Sequence, residues 1–509
     1  MIGGAWLAKE YGIEPVQPLR YQSKIGASRL RHFESGIWRN QFPPQYQPPN
    51  TIAGHLEFMF RHEAVHLEFF YRLFRTIDSN ELAGWIRSAP TGKYARRAGF
   101  FYEHLTGLEL DFEGVSNGGY VDALEPDRYF TSSIATNDQR WRVRHNLPGT
   151  SWATPTVLLT DEVKEAMRYD IRAQWQEIER EFGADLLLKS AVWLTTKESR
   201  ASFAIEHEQD DTDRTQRFAR AIAEFTGRYE NPFDIQALED LQRAILGENA
   251  TRYGLRRSPI FVGEQRLVGQ AVHYIGPRYD ELERLLNELR TLDLRTRHTN
   301  SIVRVAILSF LFVYIHPLSD GNGRVSRYLI NDVFRRDGEI ADPFIIPVSS
   351  VINSAMPDYD RVLEQFSKPF MAHYQGQYRF GQEVTYEDGV ISNFAFDAYD
   401  DALIPLRYPD LTDHVAYLAR VVRQGIETEM VEEARYLLGH TNARKALNEV
   451  IEGSSHDLDR MIRSIRQNQG AVSGKLRAEF PILENEGIAS RASEAVMQAF
   501  EASPTVLKT

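Results

Sequence analysis

The 509-residue sequence contains no cysteine, so the protein has no disulfide framework, no thiol nucleophile and no cysteine-bound metal. Near its start it also lacks a basic segment followed by an apolar core, so no signal peptide is predicted. The longest apolar run lies within residues 305–315, well short of the roughly 20 residues that span a bilayer. We therefore expect a cytoplasmic protein with no membrane partner.

Positive charge is also in short supply. Lys and Arg number 59 against 71 Asp and Glu, which gives a net charge of −12. This balance argues against broad nucleic-acid binding, although a local basic patch would escape such an average. The sequence also has no GxxxxGK[ST] phosphate loop and no kinase-like set of motifs, so these two classes of nucleotide enzyme are excluded.

The hydrophobic content of 42% is enough for sizeable cores, and the length predicts about two to four domains. Periodic apolar positions predict a mainly α-helical, multi-domain protein. Residues 1–160 read as a mixed region of unknown role, 161–375 as a helical catalytic region, and 376–509 as mostly helical. The helical patterns of the middle region lie at 161–182, 184–207, 212–226, 233–246 and 279–292. A short hairpin is expected at 378–394, and no internal repeat is visible.

The most informative segment is HPLSDGNGRVSR, residues His316 to Arg327. The apolar run before it predicts a buried helix. It begins at the polar entry Thr299, Asn300 and Ser301, which supplies N-cap candidates, and ends near His316, because Pro317 disfavours helix at the preceding residue. Gly321 and Gly323 can adopt positive φ and allow close approach of the backbone to a ligand. A second helix is predicted from about Arg324 to Arg336, with Gly338 beyond it.

This junction places backbone N–H groups at a helix N-terminus, which is a ready anion site. Arg324 and Arg327 are three residues apart and share a helical face, so two guanidiniums are available for a polyphosphate. Asp320 stands where a ligand for a hard cation is expected, because Mg²⁺ bound with phosphates takes only one or two carboxylates. The alternative is a plain helix-turn-helix junction in which these charges only pair with one another.

The segment resembles the signature HPFx[D/E]GNGRxxR of Fic proteins, with Leu318 in place of the usual Phe, a position expected to point into the core. Most Fic proteins transfer AMP from ATP to a protein hydroxyl. The resemblance implies that His316 is the general base, that Asp320 binds Mg²⁺ or Mn²⁺, and that Arg324 contacts the phosphates while Arg327 orients the γ-phosphate. It also implies that an anion hole for the α- and β-phosphates is formed by Gly321, Asn322 and Gly323.

The resemblance extends to a β-hairpin flap that clamps the target protein by strand pairing. Residues 258–277 contain alternating β-formers around Gly263 and Gly269 and predict two short strands. By alignment to the family, the nucleotide is bordered by Ala271, Val272, His273 and Tyr274, whereas the plain interpretation is an ordinary hairpin with a surface His and Tyr. Tyr359 resembles a residue that closes over the adenine, and a core aromatic is the alternative.

Many Fic proteins are silenced by a helix bearing [S/T]xxxE[G/N], whose Glu pairs with the second Arg of the catalytic motif. Two segments fit. Ser202 to Glu206, in a helix near 196–208, is followed by His207 instead of Gly or Asn, while Thr226 to Asn231 matches letter for letter. We select Ser202 and Glu206, because SRASFAIEHE resembles the inhibitory segment found N-terminal to such cores and because i, i+4 spacing puts both on one helical face. A solvated helix acid is the alternative for Glu206.

A competing motif is His62-Glu63-Ala64-Val65-His66, the HExxH pattern of zinc metalloproteases, within a predicted helix over His55–Phe74. HExxH fixes only three letters, and a catalytic zinc needs a third protein ligand. Glu81 follows without a second signature, and the apolar stripe of this helix already explains the segment. We therefore interpret it as a structural helix.

Together these patterns predict an ATP- and Mg²⁺-dependent Fic protein that AMPylates Ser, Thr or Tyr of a target protein or of itself and is autoinhibited by Glu206. Three alternatives stay open: removal of AMP by the same site, a non-catalytic nucleotide-binding regulator, and a metalloprotease. The sequence leaves homo-oligomerisation open and does not name the target.

Overall fold

The computed structural model describes residues 1–34, 36–206, 212–247, 252–265 and 270–501. Over these residues the chain is mainly α-helical, and its strands are short and gathered in small sheets. The predicted fold class, a helical core with a short hairpin between mixed N-terminal and helical C-terminal regions, is confirmed. Among the described residues, no helix combines the length and apolar character that crossing a membrane requires.

The N-terminal region mixes helices with two small sheets. In the first sheet β3 is central, parallel to β1 and antiparallel to β2. In the second, β6 is parallel to β4 and antiparallel to β5. The elements are α1 (Gly4–Glu10), β1 (Tyr21–Ile25), β2 (Leu30–Glu34), β3 (Ile37–Phe42), α2 (Ile52–His62), α3 (Leu67–Thr76), α4 (Ser79–Ser88), α5 (Lys93–Thr106), β4 (Val121–Asp122), β5 (Thr136–Asp138) and β6 (Val143–His145).

The HExxH segment does not form the single helix predicted over His55–Phe74. Helix α2 ends at His62, Glu63 is extended, and α3 begins at Leu67. Long-range contacts cause the break: the buried Glu63 carboxylate accepts hydrogen bonds from Gly4 N at 2.8 Å and from Ser23 Oγ at 2.5 Å. Because His62 and His66 flank this break, they do not share a helical face.

The middle region holds the helices around the candidate site and the flap hairpin. The elements are α6 (Asp161–Arg168), α7 (Ile171–Phe182), α8 (Ala184–Ile205), α9 (Thr212–Phe225), α10 (Ile235–Leu246), β7 (Phe261–Gln265), β8 (Gln270–Ile275), α11 (Leu282–Arg295), α12 (Ser301–Ile315), α13 (Asn322–Arg336), α14 (Val348–Ser354) and α15 (Met356–His373).

Two predicted helices of this region have different bounds. The pattern at 161–182 is two helices, because Asp170 is extended and its carboxylate caps α7 by accepting from Ala173 N at 2.9 Å. The pattern at 279–292 begins with a 3₁₀ turn, Tyr279–Glu281, and continues as α11 to Arg295.

Helix α12 is the core of the domain that carries the motif. Every residue in it except Val313 is buried, and it packs against α11 and α13. Full burial of one large apolar side chain stabilises a fold by about 1.5–3 kcal/mol, so this helix anchors the loop that follows it. Its one cation, Arg304, is completely buried and pairs with Asp293 and Asp337.

The C-terminal region begins with the predicted hairpin and continues as helices. A π-helical turn, Gly425–Met430, leads from α17 into α18. The elements are β9 (Tyr378–Thr385), β10 (Ile391–Phe396), α16 (Tyr399–Arg407), α17 (Thr412–Gln424), α18 (Val431–Asn448), α19 (Ser455–Gln467), α20 (Gly474–Glu479) and α21 (Glu486–Glu501).

Two compact units divide the chain, and both are discontinuous in sequence. The first comprises Met1–Tyr169, Glu206–Glu339 and Ala355–Arg420. The second comprises Asp170–Ile205, Ile340–Ser354 and the residues from Val421 onward, in which α8 packs against α14 and α18. The sequence predicted three consecutive regions bounded near 160 and 375. In the structure, by contrast, stretches of the two units alternate along the chain.

Candidate active site

The HPLSDGNGRVSR segment is the loop between α12 and the N-terminus of α13. Of the three N-cap candidates, Asn300 caps α12 by accepting from Val303 N at 3.2 Å, and the helix ends at Ile315. His316 follows in the left-handed region, at φ 49°. This sharp exit turns the imidazole out of the helix and leaves it partly exposed.

The His316 ring is arranged to accept a proton. Its Nδ1 lies 3.2 Å from the carbonyl oxygen of Val313, and since a carbonyl can only accept, Nδ1 carries the hydrogen and Nε2 keeps its lone pair. Burial lowers the pKa of His316 to about 4, with the Arg256 charge acting in the same direction. The ring is therefore neutral near pH 7 and able to act as a base.

Asn322 holds the loop in shape. Its Oδ1 accepts from Leu318 N at 2.8 Å, and its Nδ2 donates to Leu318 O at 2.9 Å. Leu318 is fully buried, as predicted for this position, and Gly321 has φ 84°. The Asn322 side chain thus serves the loop, so an anion can be held here by the first backbone N–H groups of α13, which have no acceptor inside the helix.

Gly323 lies within α13 and, unlike Gly321, does not use the positive φ that a glycine can adopt. The reason for a glycine here is space. A Cβ at this position would overlap the carboxylate of Glu206 and crowd the guanidinium of Arg327. The glycine therefore keeps the surface of the helix N-terminus open.

The Asp320 carboxylate lies at the edge of the loop and its side chain is 59% exposed. Its Oδ1 accepts from Gly321 N at 2.6 Å and from Arg324 Nη2 at 3.1 Å. An exposed carboxylate oxygen next to a helix N-terminus has the hard-ligand chemistry that Mg²⁺ prefers, so this residue fits the metal that the resemblance implies.

Glu206 contacts the second arginine of the motif. Its Oε1 lies 2.8 Å from Arg327 Nη2, and the Arg327 side chain is only 2% exposed against 34% for Glu206. Burial opposes ionisation of Glu206, but the charge and hydrogen bond of Arg327 outweigh it and hold the pKa of this carboxyl below its ordinary value. Glu206 is consequently ionised near neutral pH and occupies a guanidinium that faces the helix N-terminus.

Tyr359 lies next to the ion pair of Glu206 and Arg327. The residue is buried on α15, burial raises the pKa of its phenol, and its hydroxyl hydrogen-bonds to Arg327. The structure thus brings Tyr359 to the Arg327 guanidinium, whereas the sequence predicted a contact with the adenine base.

Ser202 and Glu206 lie four residues apart at the C-terminal end of α8. Helix α8 ends at Ile205, and Glu206 is a turn residue directly after it. Ser202 is fully buried in that helix. His207, the departure from the family pattern, lies outside the described residues.

The second candidate segment, Thr226 to Asn231, serves a structural purpose. Gly227 has φ 76°, and its N–H donates to Asp332 on α13 at 2.8 Å. Glu230 uses its backbone carbonyl to accept from Arg297 at 3.3 Å. The segment closes the end of α9 in a turn, as its Gly and Asn-Pro letters indicated.

The flap hairpin is present as β7 antiparallel to β8, and its tip, 266–269 with Gly269, lies outside the described residues. Ala271 and Val272 are partly exposed and His273 is exposed, with Nε2 3.9 Å from Glu264 Oε1. Tyr274 differs: it is buried, and its hydroxyl donates to Tyr314 O at 2.6 Å. Tyr274 therefore serves the core instead of the nucleotide border that was predicted.

Two supporting residues were missed by the sequence. The buried Arg256 donates through Nε to His316 O at 2.8 Å, through Nη1 to Ser258 O at 3.1 Å, and through Nη2 to Pro277 O at 2.6 Å. Gln242 donates to Asp320 O at 2.8 Å and accepts from Gly254 N at 2.6 Å. Both side chains hydrogen-bond to backbone groups, which every residue has, so no sequence motif indicates these contacts.

The HExxH residues are fully used by the fold. His66 caps α3 by accepting from Phe69 N at 3.2 Å, and its other ring nitrogen lies 2.9 Å from Gln17 O. Within the described part of the chain, no group of three or more His, Cys, Asp or Glu side chains could hold a metal ion. The zinc interpretation thus lacks a ligand set.

We expect the combined variant His62→Ala, His66→Ala to leave the metal content unchanged and to unfold at lower denaturant, because losing the His66 cap costs about 0.5–2 kcal/mol. Elemental analysis of wild type and variant, with urea unfolding followed by circular dichroism, measures both. Stoichiometric zinc in the wild type that vanishes in the variant would contradict this expectation.

Comparison with known proteins finds a family match that includes the HPLSDGNGRVSR segment. The model of the Fic/DOC family matches residues 232–333. The protein adenylyltransferase fic-1 of Caenorhabditis elegans and that of Caenorhabditis briggsae are each 30% identical over 118 residues, which is 23% of this chain and 22% of the relative. The chain thus aligns with about a fifth of the length of these relatives.

Two solved structures are also similar. A Fic family protein from Desulfovibrio desulfuricans is 20% identical, covers 61% of this chain and 88% of its own, and has a TM-score of 0.37. A Fic domain containing signaling protein from Bacteroides thetaiotaomicron is 17% identical, covers 54% and 97%, and has a TM-score of 0.34.

Proposed function

Because the chain carries a Fic/DOC family domain within residues 232–333, we propose that it transfers AMP from ATP to a Ser, Thr or Tyr hydroxyl of a target protein or of itself. We propose further that Glu206 restrains this activity by occupying Arg327. The observation that carries the proposal is the placement of the His316 imidazole at the loop that opens α13, with Nδ1 3.2 Å from Val313 O and Nε2 left to accept a proton.

The chemistry follows from the positions of the groups. The hydroxyl oxygen attacks the α-phosphorus of ATP, its proton passes to His316 Nε2, and the bond from the α-phosphorus to the β-phosphate oxygen breaks, so pyrophosphate leaves. The N–H groups at the start of α13 and the guanidinium of Arg324 are positioned to bind phosphate oxygens. Positioning and charge stabilisation supply most of the rate in such reactions.

Glu206 supports the autoinhibition proposal in two ways. It takes the Arg327 guanidinium that would otherwise bind the γ-phosphate, and it covers the helix N-terminus at Gly323. Two anionic groups cannot share one guanidinium and one helix terminus without repulsion, so the carboxylate and the γ-phosphate compete. ATP then binds with its α-phosphate misplaced for attack.

The test of the proposed function is intact-mass measurement after incubation with ATP and Mg²⁺. An added AMP supports transfer and identifies the donor, while an unchanged mass in wild type and in the derepressed Glu206→Gly variant contradicts it. Incubating the same proteins with a hydroxyl-linked AMP peptide separates the reverse activity, because removal of AMP releases the unmodified peptide.

Asp320 is proposed to hold Mg²⁺ or Mn²⁺, which when bound neutralises charge on the triphosphate and on the departing pyrophosphate. We expect Asp320→Ala to reduce AMP transfer by about tenfold to a thousandfold, the loss that follows when a charge-stabilising group is removed. The reaction is followed by intact mass over a Mg²⁺ titration, with excess EDTA as the metal-free condition.

Asp320→Asn is the informative companion variant. It keeps an oxygen and the shape of the loop but removes the charge, so it is expected to require a higher Mg²⁺ concentration. Full activity of either variant in excess EDTA would contradict the metal-binding assignment of Asp320.

A further inference from the structure

The hairpin β9–β10 touches the flap and the segment that leads into it. The ring of Phe261 in β7 lies 4.8 Å from that of Phe394 and 5.5 Å from that of Phe380. At the hairpin's turn, the Asp388 carboxylate accepts from Arg257 N and from Ser258 Oγ, both at 2.8 Å. The hairpin is therefore fixed beside the flap along its length and at its tip.

A cavity of about 320 Å³ lies where these elements meet the catalytic loop. Val390, from the hairpin, forms one wall, and Ser319 and Asp320, from the loop between α12 and α13, form another. Ser258 and Ile260, from the segment entering the flap, complete it. The volume is at the lower limit of small-molecule pockets, so it suits one or two side chains better than a whole nucleotide.

Two of the arginines that line the cavity, Arg252 and Arg256, give it positive charge. Arg252 donates to Asp388 O at 3.1 Å and to Gly389 O at 3.0 Å, and these neutral acceptors leave its charge uncompensated. Arg256 likewise donates to backbone carbonyl oxygens.

Two carboxylates of the described residues stand close by, and their partners differ. Asp320 pairs with Arg324 at 3.1 Å, which offsets its charge. Asp388 accepts from the neutral donors Arg257 N, Ser258 Oγ and Val390 N, so its charge offsets that of one guanidinium. The charge of the other guanidinium remains and favours an anionic occupant, and guanidiniums recognise carboxylates well.

Resting on the proposed function, we propose that this cavity is a specificity pocket that takes an acidic side chain of the target protein, close in sequence to the hydroxyl that receives AMP. The hydroxyl must reach His316, and the cavity opens beside the adjacent Ser319 and Asp320. A target segment held along the flap therefore places a flanking Asp or Glu against Arg252. The hairpin β9–β10, with Val390 at the wall, becomes part of the target-binding surface.

Binding of fluorescent peptides tests this without depending on catalysis. Two acetylated decapeptides are used, each with one central Thr, flanked by Asp in the first and by Asn in the second. Fluorescence anisotropy is measured with the full chain, without ATP. We expect the acidic peptide to bind wild type about tenfold or more tightly than the neutral one, and Arg252→Gln to remove that difference.

Matched variants show whether the preference for the acidic peptide depends on the charge at Arg252 or on a general change in the protein. Arg257→Gln, an exposed neighbour that pairs with Glu283 at 3.5 Å and does not line the cavity, should leave peptide binding unchanged. Arg252→Lys keeps the charge and should retain part of the preference, while Val390→Glu should abolish it by repulsion. Circular dichroism of each variant identifies any that has unfolded.

Three outcomes overturn the proposal: equal binding of both peptides to wild type, an equal loss in Arg257→Gln, or full preference in Arg252→Gln. Inorganic pyrophosphate is added as a competitor. If it binds with an affinity that Arg252→Gln lowers as much as that of the acidic peptide, the cavity receives the leaving group instead. If the preference holds while no AMP is added to either peptide by Glu206→Gly, the pocket stands and the proposed transferase activity fails.

Discussion

Replacing His316 by Ala should abolish AMP transfer while leaving the affinity for ATP within about a factor of two of wild type. A general base acts on the proton of the attacking hydroxyl, and its removal typically lowers rates by about 10²–10⁴. The phosphates are assigned to the N-terminus of α13 and to Arg324, which this substitution does not touch. Among the described residues the imidazole makes its hydrogen bond to Val313 O, and the substitution leaves the backbone bonds of the loop in place, so folding should be preserved.

Single-turnover AMP transfer by intact mass and ATP binding by calorimetry measure the two effects separately. His456→Ala is the control, because that histidine is 92% exposed on α19 in the other unit. Parallel loss of ATP affinity and transfer in His316→Ala would mean that His316 binds the nucleotide or supports the loop. Unimpaired transfer would place the base elsewhere.

Replacing Glu206 by Gly should raise AMP transfer by roughly tenfold to a hundredfold. A charge-assisted pair between a buried guanidinium and a partly exposed carboxylate is worth about 1.5–3 kcal/mol. That free energy corresponds to the stated range of rates if the pair must break before ATP is bound productively. The substitution removes the carboxylate from Arg327 and from Gly323 without changing the catalytic loop.

Glu230→Gly is the matched control, since it removes the Glu of the segment that fits the family pattern letter for letter. Its backbone carbonyl, which accepts from Arg297, is retained. It should leave transfer unchanged, and Glu206→Gly combined with Arg327→Ala should fall back toward the wild-type level. Activation by Glu230→Gly alone would mean that the other segment is inhibitory, and no effect from either would exclude this form of autoinhibition.

Residues within the junction of α12 and α13 were enough to predict where the two helices end and begin. Asn300 is a good cap, Pro317 stops helix before it, and Gly321 allows a left-handed turn, and each acts within a few residues. The bounds of both helices follow within two residues. The shape of this loop could therefore be predicted from the sequence, because the residues that determine it lie in one short segment.

Long-range contacts explain the failures. The apolar stripe of α2 and α3 continues through Glu63, but the chain is extended there. Gly4 and Ser23 bind the Glu63 carboxylate, and His66 caps α3. The break between α6 and α7 at Asp170 did have a local signal, because Asp is a good N-cap residue. The apolar positions nevertheless keep a helical period across 161–182, and so one continuous helix was predicted. Tyr274 was predicted from its place in the flap, but which strand face meets Tyr314 depends on the packing of the hairpin.

Arg256 joins the two ends of the flap hairpin to the backbone of His316. One guanidinium holds the carbonyls of Ser258 at the entrance of the hairpin, of Pro277 at its exit, and of His316. Both ends of the hairpin and the backbone of His316 are therefore held by the same side chain. A displacement of the hairpin would also shift the Arg256 guanidinium and, through it, the backbone that carries the His316 imidazole. A lysine at this position has a compact ammonium in place of a planar guanidinium with several donors, so it would not hold all three carbonyl groups at once.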